Sequence, residues 1–187
     1  WKDLLLDRLL ILCNEQNLGL TKSLNKGIQY IKSDLIARMD SDDISEPSRF
    51  EKQVAYLKEH PEVDVVGGSL QEFNEGNDCL NIRHYPQTPD ESRKYIVKAS
   101  PLAHPTVMIR RRVFDTGIRY NEKYRTCQDV ALWFKLISKG YKIANLPDIT
   151  IRFRRDDAVF SRRKSKKNIW NEFRIYMQGI YSLQGLF

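Results

Sequence analysis

The sequence predicts an α/β fold, a sheet of short buried strands with helices packed against it. Three observations carry that expectation. Short continuous apolar runs recur at Leu9–Cys13, Leu35–Met39 and Val63–Gly68, as strands buried on both faces do. The segments between them place apolar residues at helical spacing. The composition, 41% hydrophobic and 29% charged over 187 residues, is that of a globular chain long enough to bury one core.

The elements follow in order. Leu9–Cys13 (LLILC) reads as the first strand, and Asn17-Leu18-Gly19 as the turn that ends it. Leu20, Leu24, Ile28 and Ile31 keep the helical period, and Ser33-Asp34 stops the helix before the strand Leu35–Met39. Strand, loop, helix, strand is the unit of parallel α/β sheets. Ser45 reads as the N-cap of the next helix, with Glu46 and Pro47 in its first turn and Phe50, Val54 and Leu57 as its apolar stripe. His60-Pro61 closes it, and Val63–Gly68 is a third strand. Glu75–Asp78 is a hairpin turn. Pro89–Ala99 is a short helix, Val107–Ile109 a strand, and Val130–Ser138 a helix with Leu132, Trp133, Leu136 and Ile137 inward and Gly140 as its C-cap glycine. Ile149–Phe153 is a last strand. Ile169–Leu183 is an amphipathic helix carrying Trp170, Phe173, Tyr176 and Ile180.

No apolar run approaches the roughly 20 residues of a membrane-spanning helix. The early run LLLDRLLILC is broken by Asp7 and Arg8 and lacks a cleavage site, so it is not read as a signal peptide. The chain opens on Trp1 within ongoing structure and reads as a fragment. Three widely spaced cysteines exclude a disulfide scaffold and fit a reducing cytoplasm. The net charge of +7 is concentrated in Arg152–Lys167 (RFRRDDAVFSRRKSKK), which suggests an anionic partner or a solvated helix face.

Asp40-Ser41-Asp42-Asp43 follows directly on a strand end, where open α/β sheets bind ligands. Three clustered carboxylates are tolerable when solvated, when capping a helix, or when holding a cation. An EF-hand places Asp40, Asp42 and Glu51 well. It fails on Ser45 at the glycine position, on Ile44, and on Pro47 within the loop. A Mg²⁺ or Mn²⁺ site completed by substrate phosphates needs only one or two carboxylates and fits better.

In context, NLGLTKSLNKGI and DLIARMDSDDISEPSRFEKQVAYLKEHPEVDVVGG resemble the nucleotide-sugar-binding half of family 2 glycosyltransferases of the GT-A fold. AHPTVMIRR (Ala103–Arg111) and CQDVALWFKLISKGYKIANLPD (Cys127–Asp148) resemble the acceptor-side segments of that family. The likeness covers residues 10–155 in register. It implies a GT-A, Rossmann-like sheet over residues 1–160 that lacks the first strands of the complete fold, then a basic amphipathic C-terminal helix over 161–187. The missing strands cradle the nucleobase, so the chain alone is expected to bind donor weakly.

The resemblance implies roles for individual residues. Asp40 lies near the ribose of the donor and Asp42 on the divalent metal, Mn²⁺ or Mg²⁺, that bridges the diphosphate. Asp43 caps and buttresses the loop. Asp129 is the catalytic base, preceded here by Gln128 where the family carries Glu. Lys22 falls near a basic position that contacts the nucleotide. Some relatives supply a histidine metal ligand after the last strand; here only Asp156 or Asp157 stands in that stretch. The chemistry agrees with these choices. A cation neutralises the leaving diphosphate, and a carboxylate takes the proton of a poorly nucleophilic hydroxyl, which suffices for one in-line displacement with inversion.

Other residues read both ways. His104 lines the sugar pocket or is a structural hydrogen bonder. Trp133 is core, and Arg49 and Gln53 are structural. The expected function is transfer of a sugar from a nucleoside-diphosphate sugar, UDP-linked in the first instance, to a glycan or lipid-linked acceptor of a bacterial surface polysaccharide. The expected location is cytoplasmic, at or near an anionic membrane surface. A sugar-phosphate nucleotidyltransferase is the enzymatic alternative, and a non-catalytic basic binding module the other. The aromatics follow the basic run instead of interleaving with it, which disfavours nucleic acid and favours an interfacial helix.

Overall fold

The computed structural model describes residues 8–74, 76, 78–155 and 166–183. Their elements are α1 (Leu20–Ile28), β1 (Leu35–Ala37), β2 (Ile44–Ser45), α2 (Arg49–Glu59), β3 (Val63–Phe73), β4 (Cys79–Arg83), α3 (Pro89–Tyr95), a 3₁₀ turn at His104–Thr106, β5 (Met108–Arg110), α4 (Arg112–Asp115), α5 (Gln128–Ser138), β6 (Lys142–Arg154) and α6 (Lys166–Ser182).

Among the described residues six strands form one sheet in the order β1-β5-β3-β6-β2, and β4 pairs β3. β3 and β6 are parallel; β5 runs antiparallel to both β1 and β3. Two apolar clusters flank the sheet. Leu57 of α2 meets Val63, Val66, Met108, Ala144 and Leu146 on one face. Val65, Ile109 and Ile143 meet Val130, Trp133, Phe134 and Ile137 of α5 on the other, with Ile175 and Leu183 of the last helix. Each such side chain contributes roughly 1.5–3 kcal/mol over its exposed state.

Several expectations are met in kind and differ in extent. The α5 stripe is inward, with Trp133 wholly buried, and Gly140 follows it at φ 83°. α3 opens with a capping box, in which Thr88 Oγ1 accepts from the Glu91 N–H at 3.3 Å and Glu91 Oε2 accepts from the Thr88 N–H at 3.1 Å. β3 and β4 pair antiparallel, as the hairpin expected at Glu75–Asp78 requires, though Glu75 and Asn77 themselves lie outside the described residues. β3 runs to Phe73 because Gly67-Gly68 is not a strand end. A Cβ on Gly67 would lie 2.8 Å from Leu102 Cδ2, and one on Gly68 would overlap Thr150, so the glycines permit close approach to neighbouring chain.

Three expectations are corrected. Leu9–Cys13 forms no strand, and Leu10 and Ile11 are exposed. A strand exists only where a neighbour takes its backbone hydrogen bonds, and none of the described strands lies beside it. Consequently β1 enters the sheet not as half of a parallel unit but antiparallel to β5. Ser45 is not an N-cap. It lies in β2 opposite Ile151, and the Glu46 N–H still bonds the Thr150 carbonyl at 3.0 Å, so the chain is paired up to Glu46 and turns through Pro47 and Ser48 into α2 at Arg49. The inward stripe of α2 is Arg49, Gln53 and Leu57, while Phe50 is exposed. The period was right; the buried face was turned by polar side chains.

Candidate active site

The acidic loop joins β1 to β2, and its three carboxylates have three different environments. Arg38 donates Nη1 to Asp40 Oδ2 at 2.7 Å, and its Nη2 pairs with Asp40 Oδ1, a bidentate clamp on a half-exposed carboxylate. Asp42 is exposed. Its carbonyl accepts from Arg154 Nε at 3.2 Å. Asp43 is buried, and its Oδ1 accepts the backbone N–H of Arg154 at 3.0 Å. Asp43 Oδ2 is buried without a hydrogen-bond partner. Burial pushes the Asp43 carboxyl up to about 6, with the charges of Asp40 and Asp42 adding to the rise and the Arg154 N–H opposing it.

Beneath the loop Arg49 and Gln53 do the work of a polar keystone. Arg49 donates to the Arg38 carbonyl at 2.8 Å and to Gln53 Oε1 at 3.1 Å. Gln53 donates to the Thr106 carbonyl at 2.7 Å and to the Val66 carbonyl at 3.2 Å. Together they tie β1, β3 and the segment before β5, which carry irregular backbone at this point. Burial lowers the Arg49 guanidinium to about 10, with the charge of Arg38 acting in the same direction, so it stays protonated at neutral pH. Both residues are structural, as expected from the sequence.

His104 keeps 7% of its surface exposed, and its Nε2 shares a 2.8 Å hydrogen bond with the Tyr120 hydroxyl. Its ring meets those of Tyr120 and Trp133 edge-on. Burial, then the Arg38 charge, lowers its pKa well below the histidine range, so the imidazole is neutral. The Tyr120 hydroxyl feels both the positive charge of Arg38 and the negative charge of Asp129. Burial dominates and keeps that hydroxyl protonated.

Asp129 is half-buried in the first turn of α5, where unpaired N–H groups favour a negative charge. The chain turns into α5 through Cys127 at φ 55°, the one non-glycine residue at positive φ among those described. Gln128 is buried, so its neutral amide avoids a second buried charge beside Asp129. The preceding loop is held by α1. Asn25 donates to the Tyr120 carbonyl at 2.9 Å and accepts the Tyr120 N–H at 3.0 Å, and Thr21 donates to the Tyr124 carbonyl at 2.9 Å.

Arg38, paired with Asp40, acts electrostatically on both His104 and Tyr120, and Asp129 acts on Tyr120. Lys22 stands apart, exposed on α1 with no ion pair to the acidic loop among the described residues. Asp156 and Asp157 lie outside the described residues. Arg38, Tyr120 and Asn25 escape a reading of the sequence. Arg38 alone leaves a trace there, two residues before Asp40 and therefore on the same side of an extended chain. The described residues gather no group of three or more carboxylate, histidine or cysteine ligands. The donor on offer is the exposed Asp42 carboxylate. It suits a hard cation that takes the rest of its oxygens from phosphate and water.

Residues 2–118 match the family described as Glycosyl transferase family 2. An uncharacterized glycosyltransferase of Haemophilus influenzae is 38% identical over 178 residues, 92% of this chain and 66% of that protein. The amylovoran biosynthesis glycosyltransferase AmsE of Erwinia amylovora is 34% identical over 177 residues, 94% of this chain and 65% of that protein. The UDP-Gal:alpha-D-GlcNAc-diphosphoundecaprenol beta-1,3-galactosyltransferase of Escherichia coli is 29% identical over 155 residues, 82% of this chain and 54% of that protein. The chain therefore spans two thirds or less of the length of these relatives. Among solved structures, S. aureus TarS 1-349 in complex with UDP superposes with a TM-score of 0.61 at 17% identity, over 88% of this chain and 46% of that one. At that identity the likeness concerns the fold, the GT-A sheet with flanking helices.

Proposed function

Because the chain belongs to glycosyl transferase family 2, we propose that it forms the metal-side and base-side core of an inverting glycosyltransferase. The reaction is transfer of a sugar from a nucleoside diphosphate to a glycan or lipid-linked acceptor, in assembly of a bacterial surface polysaccharide. Relatives named for amylovoran biosynthesis and for a diphosphoundecaprenol-linked acceptor support that class of product. A UDP-bound fold neighbour supports UDP as the nucleotide. The location is cytoplasmic, where nucleotide sugars are made.

One observation carries the reading. The Tyr120 hydroxyl, bonded to His104, lies within electrostatic reach of both Arg38, the partner of Asp40, and Asp129. Two charged segments about ninety positions apart in the chain thereby act on one buried pair.

In this reading Asp40 binds the donor ribose, held in orientation by the Arg38 clamp. Asp42 holds Mn²⁺ or Mg²⁺, which when bound neutralises the charge developing on the leaving diphosphate. Asp43, tied to Arg154, keeps the loop in place. Asp129 accepts the proton of the acceptor hydroxyl as the new glycosidic bond forms and the bond to the diphosphate breaks. His104, committed to Tyr120, shapes the wall of the sugar pocket as a neutral group, and Lys22 assists the nucleotide from α1. The test is transfer from a UDP-sugar, with Asp42 and Asp129 replaced separately, in a protein that includes the family's first two strands. Loss of donor binding at the first and of turnover at the second is the expected division of labour. Full transfer by both variants refutes it.

A further inference from the structure

The last helix, α6, has two apolar faces. One is satisfied: Ile175 and Leu183 are buried against the α5 side of the core, and Tyr176 meets the Phe134 ring edge-on at 5.5 Å. Gly179 lies so close to Phe134 that a Cβ there would overlap the ring. The other face is bare. Ile169, Trp170, Phe173, Met177, Ile180 and Tyr181 are all exposed, Trp170 by 62% and Tyr181 by 73%. Trp170 and Phe173 stack on each other at 5.4 Å. At the rotation of an α-helix these six side chains fall within an arc of about 120°, adjacent to the buried face. A contiguous large apolar surface of this kind marks a docking site.

We infer that this face seats the protein on an anionic lipid surface, with α6 lying in the plane of the interface. Two features select that occupant. Trp and Tyr at the two ends of the patch are the side chains that favour the headgroup level of a membrane. In the sequence, Arg162–Lys167 (RRKSKK) carries five basic residues at the start of the helix, of which Arg162, Arg163 and Lys164 lie outside the described residues, and Arg174 is exposed on the helix itself. That charge complements anionic headgroups, whereas a second copy would set two such runs against each other.

The placement has a consequence for the reaction, and it rests on the glycosyltransferase reading. α6 packs on α5, whose first turn holds Asp129, and the Tyr176 hydroxyl feels the Asp129 charge. A lipid surface under α6 therefore fixes where the candidate base stands relative to the hydroxyl of a lipid-linked acceptor.

The experiment is co-sedimentation with phosphatidylcholine vesicles, with and without phosphatidylglycerol, across a salt series. The wild type is expected to bind the anionic vesicles and to be released as added salt shortens the Debye length. Trp170→Ser with Phe173→Ser replaces two exposed side chains and is expected to leave the melting temperature nearly unchanged. It is expected to lower partitioning by about tenfold or more, and so is a second variant with Arg162, Arg163, Lys164, Lys166 and Lys167 changed to Gln. Equal binding to neutral vesicles, or undiminished binding by either variant, overturns the proposal. So does a dimer in solution that the double substitution dissolves, which gives the face to a second copy. Vesicle binding needs neither donor nor metal. A failure of nucleotide binding therefore counts against the enzymatic reading alone, and a failure to sediment against this one.

Discussion

Arg154 donates its backbone N–H to Asp43 Oδ1 at 3.0 Å, across 111 positions of sequence. The same residue bonds the Asp42 carbonyl through Nε at 3.2 Å, so the end of β6 grips the acidic loop at two points. The exposed Asp42 side chain is thus presented by a loop whose backbone is held from below.

The Asp43 carboxyl gives a pH signature. Its pKa in the fold is about 6 against an ordinary value of 3.8, raised chiefly by burial. Between those values the folded state binds the proton that the unfolded state has lost, so this group's contribution to stability falls as pH rises through the window. Asp43→Asn keeps the acceptor for Arg154 and removes the titration. The variant is expected to melt higher than wild type near pH 7.5, with the gain fading toward about pH 4. Thermal melts across that range read it directly; a difference independent of pH assigns the effect to something other than this carboxyl.

Asp42→Asn is expected to abolish metal-dependent binding of a nucleoside diphosphate while leaving stability within about 0.5 kcal/mol of wild type, because the side chain is exposed. Calorimetry with Mn²⁺ and UDP, in a protein that includes the nucleobase-cradling strands, measures both. Undiminished affinity removes Asp42 from the metal site.

For Asp129→Asn the expected loss is in turnover, about 10²–10⁴-fold, with donor affinity little changed. Parallel loss of donor affinity makes Asp129 a structural residue of the first turn of α5. A kcat that falls while KM for the donor holds supports the base.

Gly179→Ala adds a methyl group where Phe134 already stands. Overpacking of this kind costs about 1–3 kcal/mol, and here it loosens α6 from α5. Thermal melts together with hydrogen exchange along residues 166–183 locate the damage. An unaffected helix means that Phe134 moves aside.

Much of this was legible in the chain. The apolar runs 35–39 and 63–68, the helical stripes and the acidic cluster are local patterns, and local patterns survive in a one-dimensional record. So does the inward Trp133. Misreadings arose where a residue's environment is made by distant chain. Phe50 looked like core and is exposed, whereas the buried position belongs to Arg49, whose hydrogen bonds are accepted by the Arg38 and Val107 carbonyls and the Gln53 side-chain oxygen. Gly67-Gly68 looked like a terminus because sequence records the missing side chains but not the Thr150 that fills their place.

By itself the sequence determined the class of fold, the strand-end position of Asp40–Asp43 and the family to which the chain belongs. These depend on periodicity and on residue order, both of which are properties of the chain alone. Only the tertiary structure decided that the three carboxylates differ, with Asp40 clamped by Arg38, Asp42 exposed and Asp43 buried against Arg154. It also decided that His104 is neutral beside Tyr120 and that α6 shows one apolar face to the core and one to the outside. Burial and long-range hydrogen bonding set charge and exposure, and both are created only when segments far apart in sequence are brought into contact.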